Sequence, residues 1–335
     1  MNNITYKNLS SIDSLKVNPI DIAPYQLSIG ITPKCNSKCS YCVNWRDKKS
    51  KVWDYEEIID IINGAKNLGI TQVLFSGGEP LLYPEWKNVI SYTKSIGLDF
   101  MIITNGLLLD KQAIDFLHLH SCKKIGISLD TISPQKYAII RGVPIYPIIN
   151  NLKVIKENYK ASLYNNISIC CTVHRYNVDD LDELLNFCID ENLPIQFQPL
   201  QIDSNAPENT YEKMWPVDSQ LSKLEIFFEG VLKLKKSGAR ILNTDQYIMN
   251  IFKYFKNRKY IPQCCYAPFA QITIDQSGGL RPCWAMSPVS KISTGADLEK
   301  AWFSDEMKAM RDVAKNHLCN GCYYSCHLSK LYNIL

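Results

Sequence analysis

Cys35, Cys39 and Cys42 fall within one short run, Cys-Asn-Ser-Lys-Cys-Ser-Tyr-Cys. Thiolates are the standard ligands of an iron–sulfur cubane, so three on one loop can hold three irons of a 4Fe–4S cluster. The fourth iron then has no protein ligand and is free to bind a substrate or cofactor. A fully ligated cluster would only pass electrons. Two other readings of the same thiols are part of a zinc site and unliganded cysteines. Zinc sites usually pair C-x-x-C units and bring a fourth ligand.

Further along, Ser76-Gly77-Gly78-Glu79-Pro80 combines glycines, which let a backbone approach a ligand closely, with a carboxylate able to accept from an ammonium. As a bare string it also reads as a turn. Thr104-Asn105-Gly106 and Ser128-Leu129-Asp130 are short polar groups at the ends of apolar runs, where turn chemistry is the competing reading. The last quarter carries Cys264, Cys265, Cys283, Cys319-Asn-Gly-Cys322 and Cys326. A hairpin and a C-x2-C loop there supply four thiolates in two pairs, which by spacing fit either a zinc ribbon or a second iron–sulfur cluster. Other groups read more plainly. Arg46, Lys48, Lys49 and Lys51 form a solvated loop, and Cys122, Cys170, Cys171 and Cys188 lie in apolar contexts as packing groups. His174 follows an apolar run and is placed to line a cavity.

These motifs need a scaffold. Six apolar runs, at 26–32, 71–77, 99–104, 123–129, 166–173 and 194–200, alternate with helical periods and read as buried parallel strands. Asp54 with Glu57 makes a capping box ahead of Ile58, Ile62, Ala65 and Leu68 at helical spacing. Six strand–helix units build either an open doubly wound sheet or a partial barrel. Right-handed crossovers put every strand C-terminus on one edge, where sites form in such folds, and the motifs before residue 200 lie at those ends. Residues 201–262 form a polar bridge with helices near 217–237 and 243–257. QITID, QSGG and LRPCW then read as a hairpin, followed by a helix near 297–315.

The chain's 335 residues, 46% hydrophobic and 21% charged, allow one large domain and a smaller module. A formal charge of +4 gives no basis for binding nucleic acid or a membrane surface, and no apolar stretch approaches the ~18 residues of a spanning helix. The start has no secretion signal, so a cytoplasmic location is expected. Thirteen cysteines in such a chain point to metal or catalysis rather than disulfides.

The C-x3-C-x2-C loop with Tyr41 before its last cysteine resembles the signature of the radical S-adenosylmethionine (SAM) superfamily. That resemblance implies a partial (β/α)6 barrel over 26–200, after an extension at 1–25 and before a helical bridge at 201–261. It also implies a SAM-binding 4Fe–4S cluster on Cys35, Cys39 and Cys42, whose one-electron cleavage of SAM yields a 5′-deoxyadenosyl radical that abstracts a substrate hydrogen. Gly77, Gly78 and Glu79 are similar to the motif that receives the SAM amino group, Tyr41 lies where the family places an aromatic near adenine, and Asn105 and Ser128 resemble sugar contacts. Arg141-Gly142 resembles a pair whose guanidinium would suit the SAM carboxylate. Residues 262–335 resemble the SPASM and twitch modules, a β-hairpin plus helix that binds auxiliary clusters. A full SPASM run needs more cysteines, so one auxiliary 4Fe–4S cluster is expected on Cys265, Cys283, Cys319 and Cys322, with Cys264 and Cys326 as alternates. An external one-electron reductant of the flavodoxin or ferredoxin type is implied. For substrate the resemblance favours a peptide in natural-product maturation. The first alternative is oxidation of a small molecule, such as an aminocyclitol or a cofactor precursor. The short segment before the first strand leaves no leader-binding domain there and weighs against the peptide. A non-catalytic iron–sulfur or zinc protein is the reading from another class.

Overall fold

The computed structural model describes residues 24–46, 53–159, 163–201, 209–257, 267–316, 318–319 and 322–323. Six parallel strands stand side by side in chain order: β1 (Gln26–Thr32), β2 (Gln72–Gly77), β3 (Asp99–Thr104), β4 (Lys124–Ser128), β5 (Ile167–Val173) and β6 (Ile195–Pro199). The segments between them hold α1 (Tyr55–Asn67), α2 (Trp86–Ser95), α3 (Lys111–Leu119), α4 (Pro134–Arg141), α5 (Tyr146–Tyr159) and α6 (Leu181–Asp190). Asp54 and Glu57 cap α1 reciprocally, and its Ile58, Ile61, Ile62 and Ala65 are buried.

The strands were expected to be buried on both faces. Instead, several alternate. On β3, Phe100, Ile102 and Thr104 are buried while Met101 and Ile103 are half-buried, and on β6, Ile195 and Phe197 are buried while Gln196 and Gln198 are half-buried. One face carries the helices and the main apolar core. The other faces a lumen, as a curved sheet requires, so the partial barrel is the architecture observed.

Beyond β6 come α7 (Thr210–Met214), α8 (Asp218–Lys236), α9 (Asp245–Lys256) and α10 (Ala267–Ala270), then β7 (Gln271–Ile274), β8 (Gly279–Arg281) and β9 (Ser290–Lys291). The expected hairpin is β7 with β8, and it does not stand apart. β7 pairs parallel with β1, from Gln26↔Gln271 to Ile29↔Ile274, so the hairpin, with β9 paired beyond β8, extends the barrel sheet to nine strands. An entirely buried β1 needs that cover, because an open edge would leave its amides unpaired. The helix expected near 297–315 is two, α11 (Gly295–Trp302) and α12 (Asp305–Lys315), since Ser304 caps the second by accepting from Met307 N–H. Gly295 seats α11 on α1: a Cβ there would lie 2.4 Å from the Asp60 carbonyl. Among the described residues no helix is long and apolar enough to cross a membrane.

Candidate active site

The loop bearing Cys35, Cys39 and Cys42 leaves the C-terminal end of β1 and is gripped by backbone on two sides. From the β2 end, Gly78 N–H donates to Thr32 O and Glu79 N–H to Lys34 O, both at 2.7 Å. This approach requires glycine. A Cβ on Gly78 would sit 2.2 Å from Lys34 O, and Gly77 has φ +121° with only 2.6 Å to Thr32 O. From the other side, Lys38 N–H and Ser40 N–H donate to the Arg141 and Ile140 carbonyls at 3.0 and 2.9 Å, using the free C-terminal carbonyls of α4. Trp45 Nε1 donates to Cys39 O at 2.9 Å.

Glu79, expected to receive an ammonium, is fully buried and already accepts from three groups of the chain. Oε1 takes Thr104 Oγ1 at 2.7 Å and Leu81 N–H at 3.2 Å, and Oε2 takes Asn105 N–H at 2.7 Å. Burial pushes its carboxyl up to about 7 against these donors. Its side chain therefore ties the β2 turn to the end of β3, leaving the backbone of Gly77 as the part of the motif that faces the lumen. Asn105 donates to Asn36 Oδ1 at 2.7 Å and lies 4.0 Å from Cys35 Sγ.

Arg141 is likewise committed. Nε and Nη2 bind the two oxygens of Asp130 at 2.7 and 2.8 Å, and Nη1 faces Cys39 Sγ at 3.8 Å. Both partners are buried. Asp130 also accepts from Tyr41 Oη at 2.8 Å and Thr172 N–H at 2.8 Å. Burial opposes ionisation of Asp130, but the Arg141 guanidinium outweighs it and holds the carboxyl below its ordinary range. His174 does not line a cavity. It is fully buried, 3.9 Å from Asp130 Oδ2, with its ring 5.3 Å from that of Tyr41. Arg46 lies over the Trp45 ring, while Lys48, Lys49 and Lys51 are outside the described residues.

A cavity of about 300 Å³ fills the lumen. Gly77 and Asn44 from the cysteine-loop end line it, with Ser28, Ser76 and Ser128, the β5 residues Cys170, Cys171 and Thr172, Gln196 and Gln198 from β6, and Trp284. No Lys, Arg, Asp or Glu stands among those described lining residues. Asn44 joins three parts of the molecule, donating to Gly77 O at 2.7 Å and accepting from Gln276 in the hairpin turn at 3.3 Å. Sequence reasoning missed Asn44, Thr172, Gln196, Gln198 and Trp284. The available signal was polar residues at alternate positions of an otherwise apolar strand. Cys170, taken as packing, is half-buried on the cavity wall, whereas Cys171 borders the cavity but is buried in the main apolar core as expected. Cys122 and Cys188 do lie in the core, their thiols pushed up to about 12 by burial.

Among the C-terminal cysteines, Cys283 and Cys319 share a small apolar cluster with Met286 and Ala314. Cys322 is half-buried beside Tyr323. Cys264, Cys265 and Cys326 are outside the described residues.

Burial pushes the Cys35 thiol up to about 11 and raises Cys39 and Cys42 as well, so ionising all three calls for a cation beside them. Among the described residues no three His, Cys, Asp or Glu side chains form a cage for a single ion. Thiolates on one zinc stand about 3.8 Å apart, from bonds of about 2.3 Å, whereas three corners of a cubane spread them wider. Three thiols on one clamped loop, with Asn44 just beyond Cys42 lining the lumen cavity, fit the larger group.

Comparison with known proteins gives four findings. A family model described as the radical SAM superfamily matches residues 29–188. The chain is similar to a probable GTP 3′,8-cyclase of Methanococcus maripaludis, 26% identical over 264 residues, covering 76% of this chain and 83% of the relative. Its fold is similar to Streptococcus suis SuiB bound to S-adenosylmethionine, with TM-score 0.69 and 20% identity over 92% of this chain and 74% of that one. It is also similar to anSMEcpe with bound AdoMet and a Cp18Cys peptide, with TM-score 0.68 and 17% identity over 91% and 90% of the two chains.

Proposed function

We propose that this chain, whose residues 29–188 match the radical SAM superfamily model, is a radical SAM enzyme that carries out radical oxidation of a small molecule held in the barrel lumen. One observation carries the reading. The lumen cavity touches Asn44 and Gly77 beside the first cysteine loop and Trp284, the neighbour of Cys283, so it lies between the two cysteine groups.

When bound, the cluster and SAM supply one-electron cleavage of the sulfonium to a 5′-deoxyadenosyl radical. Cys35, Cys39 and Cys42 would hold three irons. The Gly77 backbone and Ser128 face the space SAM would enter, while Tyr41 is turned onto Asp130 and packs beside His174. Arg141 acts on the loop rather than on a ligand, its remaining donor supporting a thiolate at Cys39. Cys283, Cys319 and Cys322, with Cys265 or Cys264, would hold an auxiliary 4Fe–4S cluster that accepts an electron from the substrate. The substrate itself would meet Thr172, Gln196 and Gln198 on the wall of the lumen.

The expected peptide substrate gives way to the small molecule. The curated relative is named for GTP 3′,8-cyclisation, while the likeness to SuiB and anSMEcpe, at 20% and 17% identity, carries the fold alone. A cavity of about 300 Å³ suits a compact ligand. With no cation among its described lining residues, it suits the uncharged, hydrogen-bonding part of one. The test is anaerobic turnover with SAM and a flavodoxin-type or chemical reductant, offering GTP, an aminocyclitol or a peptide in turn. Release of 5′-deoxyadenosine that rises with a small molecule, with an altered product, supports the reading. A response to the peptide alone overturns it.

A further inference from the structure

Tyr323, next to Cys322, has contacts unlike those of a chain end. It is 1% exposed. Its ring stacks on Tyr247 of α9 at 4.4 Å and on Tyr254 at 5.8 Å. The two tyrosines then exchange hydrogen bonds: Tyr323 Oη donates to the Tyr247 carbonyl at 3.0 Å, and Tyr247 Oη donates to the Tyr323 carbonyl at 2.8 Å. Gln201, just past the end of β6, completes the grip. Its Oε1 accepts from Tyr323 N–H at 2.9 Å, while Nε2 donates to Tyr323 O at 2.9 Å and to Pro199 O at 2.7 Å. A glutamine amide thus pairs with Tyr323 as a strand neighbour would.

We propose that Tyr323, held by Gln201 and Tyr247, is the positioning residue that fixes Cys322 for the auxiliary cluster. The inference rests on the auxiliary-cluster reading above. The ligands expected there come from separate parts of the fold. Cys283 follows the hairpin that extends the sheet, whereas Cys319 and Cys322 follow α12, so something must set the distance between the groups. Gln201 links Tyr323 to β6, the strand whose Gln198 lines the cavity. The clamp therefore ties Cys322 to the same sheet whose β8 leads into Cys283 and whose strands form the cavity wall.

The test is anaerobic reconstitution of the full chain, read by iron, labile sulfide, electron paramagnetic resonance and redox titration. SAM alters only the first cluster's signal, which separates the two. Wild type is expected to hold about eight irons. In Tyr323→Ala the total falls toward about four, with the SAM-responsive signal intact. Gln201→Met, a milder change that leaves the aromatic stack, shifts the second signal or its midpoint potential. Tyr323→Phe, which keeps the stack, retains most of the second cluster's iron, a rescue that mere loss of a chain end would not give. Full second-cluster iron with an unchanged signal and potential in both Tyr323→Ala and Gln201→Met would overturn the clamp. About four irons in wild type would overturn the auxiliary-cluster reading first, and the clamp with it.

Discussion

The loop of Cys35, Cys39 and Cys42 is held by main chain, with two amides from the Gly78–Glu79 turn on one side and two carbonyls from the end of α4 on the other. Tyr323, the neighbour of Cys322, is held differently, through the side chains of Tyr247 and Gln201. Backbone clamps need glycine where chains cross, and they tolerate almost no change in shape. Side-chain clamps can be loosened one bond at a time. The first region is therefore expected to fail as a whole, and the second to fail by degrees.

Removing the charge beneath the first loop is the strongest way to break that contrast. Asp130→Ala leaves Arg141 buried without its carboxylate and is expected to cost about 3–5 kcal/mol in urea unfolding, with loss of the first cluster. The same pair sets an acid limit. Because the folded Asp130 carboxyl is held below its unfolded value of 3.8, its stabilisation is present above that pH and is lost as pH falls below it. Asp130→Asn should flatten the acid side of the stability profile by about 1.4 kcal/mol per pH unit in that window.

Gly78→Ala comes next, since its Cβ would press a backbone oxygen at 2.2 Å. A loss of about 2–3 kcal/mol is expected by thermal unfolding, with iron content reduced at the first loop and the second cluster's signal retained. In the lumen, Gln198→Leu removes a hydrogen-bonding group worth about 1 kcal/mol, so KM for the substrate should rise about five-fold with cluster content unchanged. The smallest effect belongs to Cys122→Ala and Cys188→Ala. Iron per chain should stay at the wild-type level in both, because these thiols lie in the apolar core away from either cysteine group.

Much of this arrangement was legible beforehand. The strands were readable because a parallel sheet demands apolar runs, and the placing of the Cys35–Cys42 loop because it follows directly on the first of them. What Glu79 and Arg141 do was not legible. Their residue types suit an ammonium and a carboxylate equally well from outside or inside the protein, and only the packed structure shows both turned inward onto Thr104, Asn105 and Asp130. The polar wall of Gln196, Gln198 and Thr172 was hidden for a related reason: a strand lining a lumen reads as a buried strand with stray polar residues. Pairing of β7 with β1 across 245 residues leaves no local signal, and neither does the pairing of Tyr323 with Gln201.

The central claim is that three thiolates leave one iron open for SAM. Electron–nuclear double resonance on the reduced protein, with SAM labelled at its amino nitrogen and carboxylate oxygens, addresses that directly. The account predicts couplings from both labels to a single iron, absent when Cys35, Cys39 or Cys42 is replaced by alanine. A spectrum indifferent to SAM, with no coupling from either label, would mean that a protein side chain closes the cluster and would contradict the account.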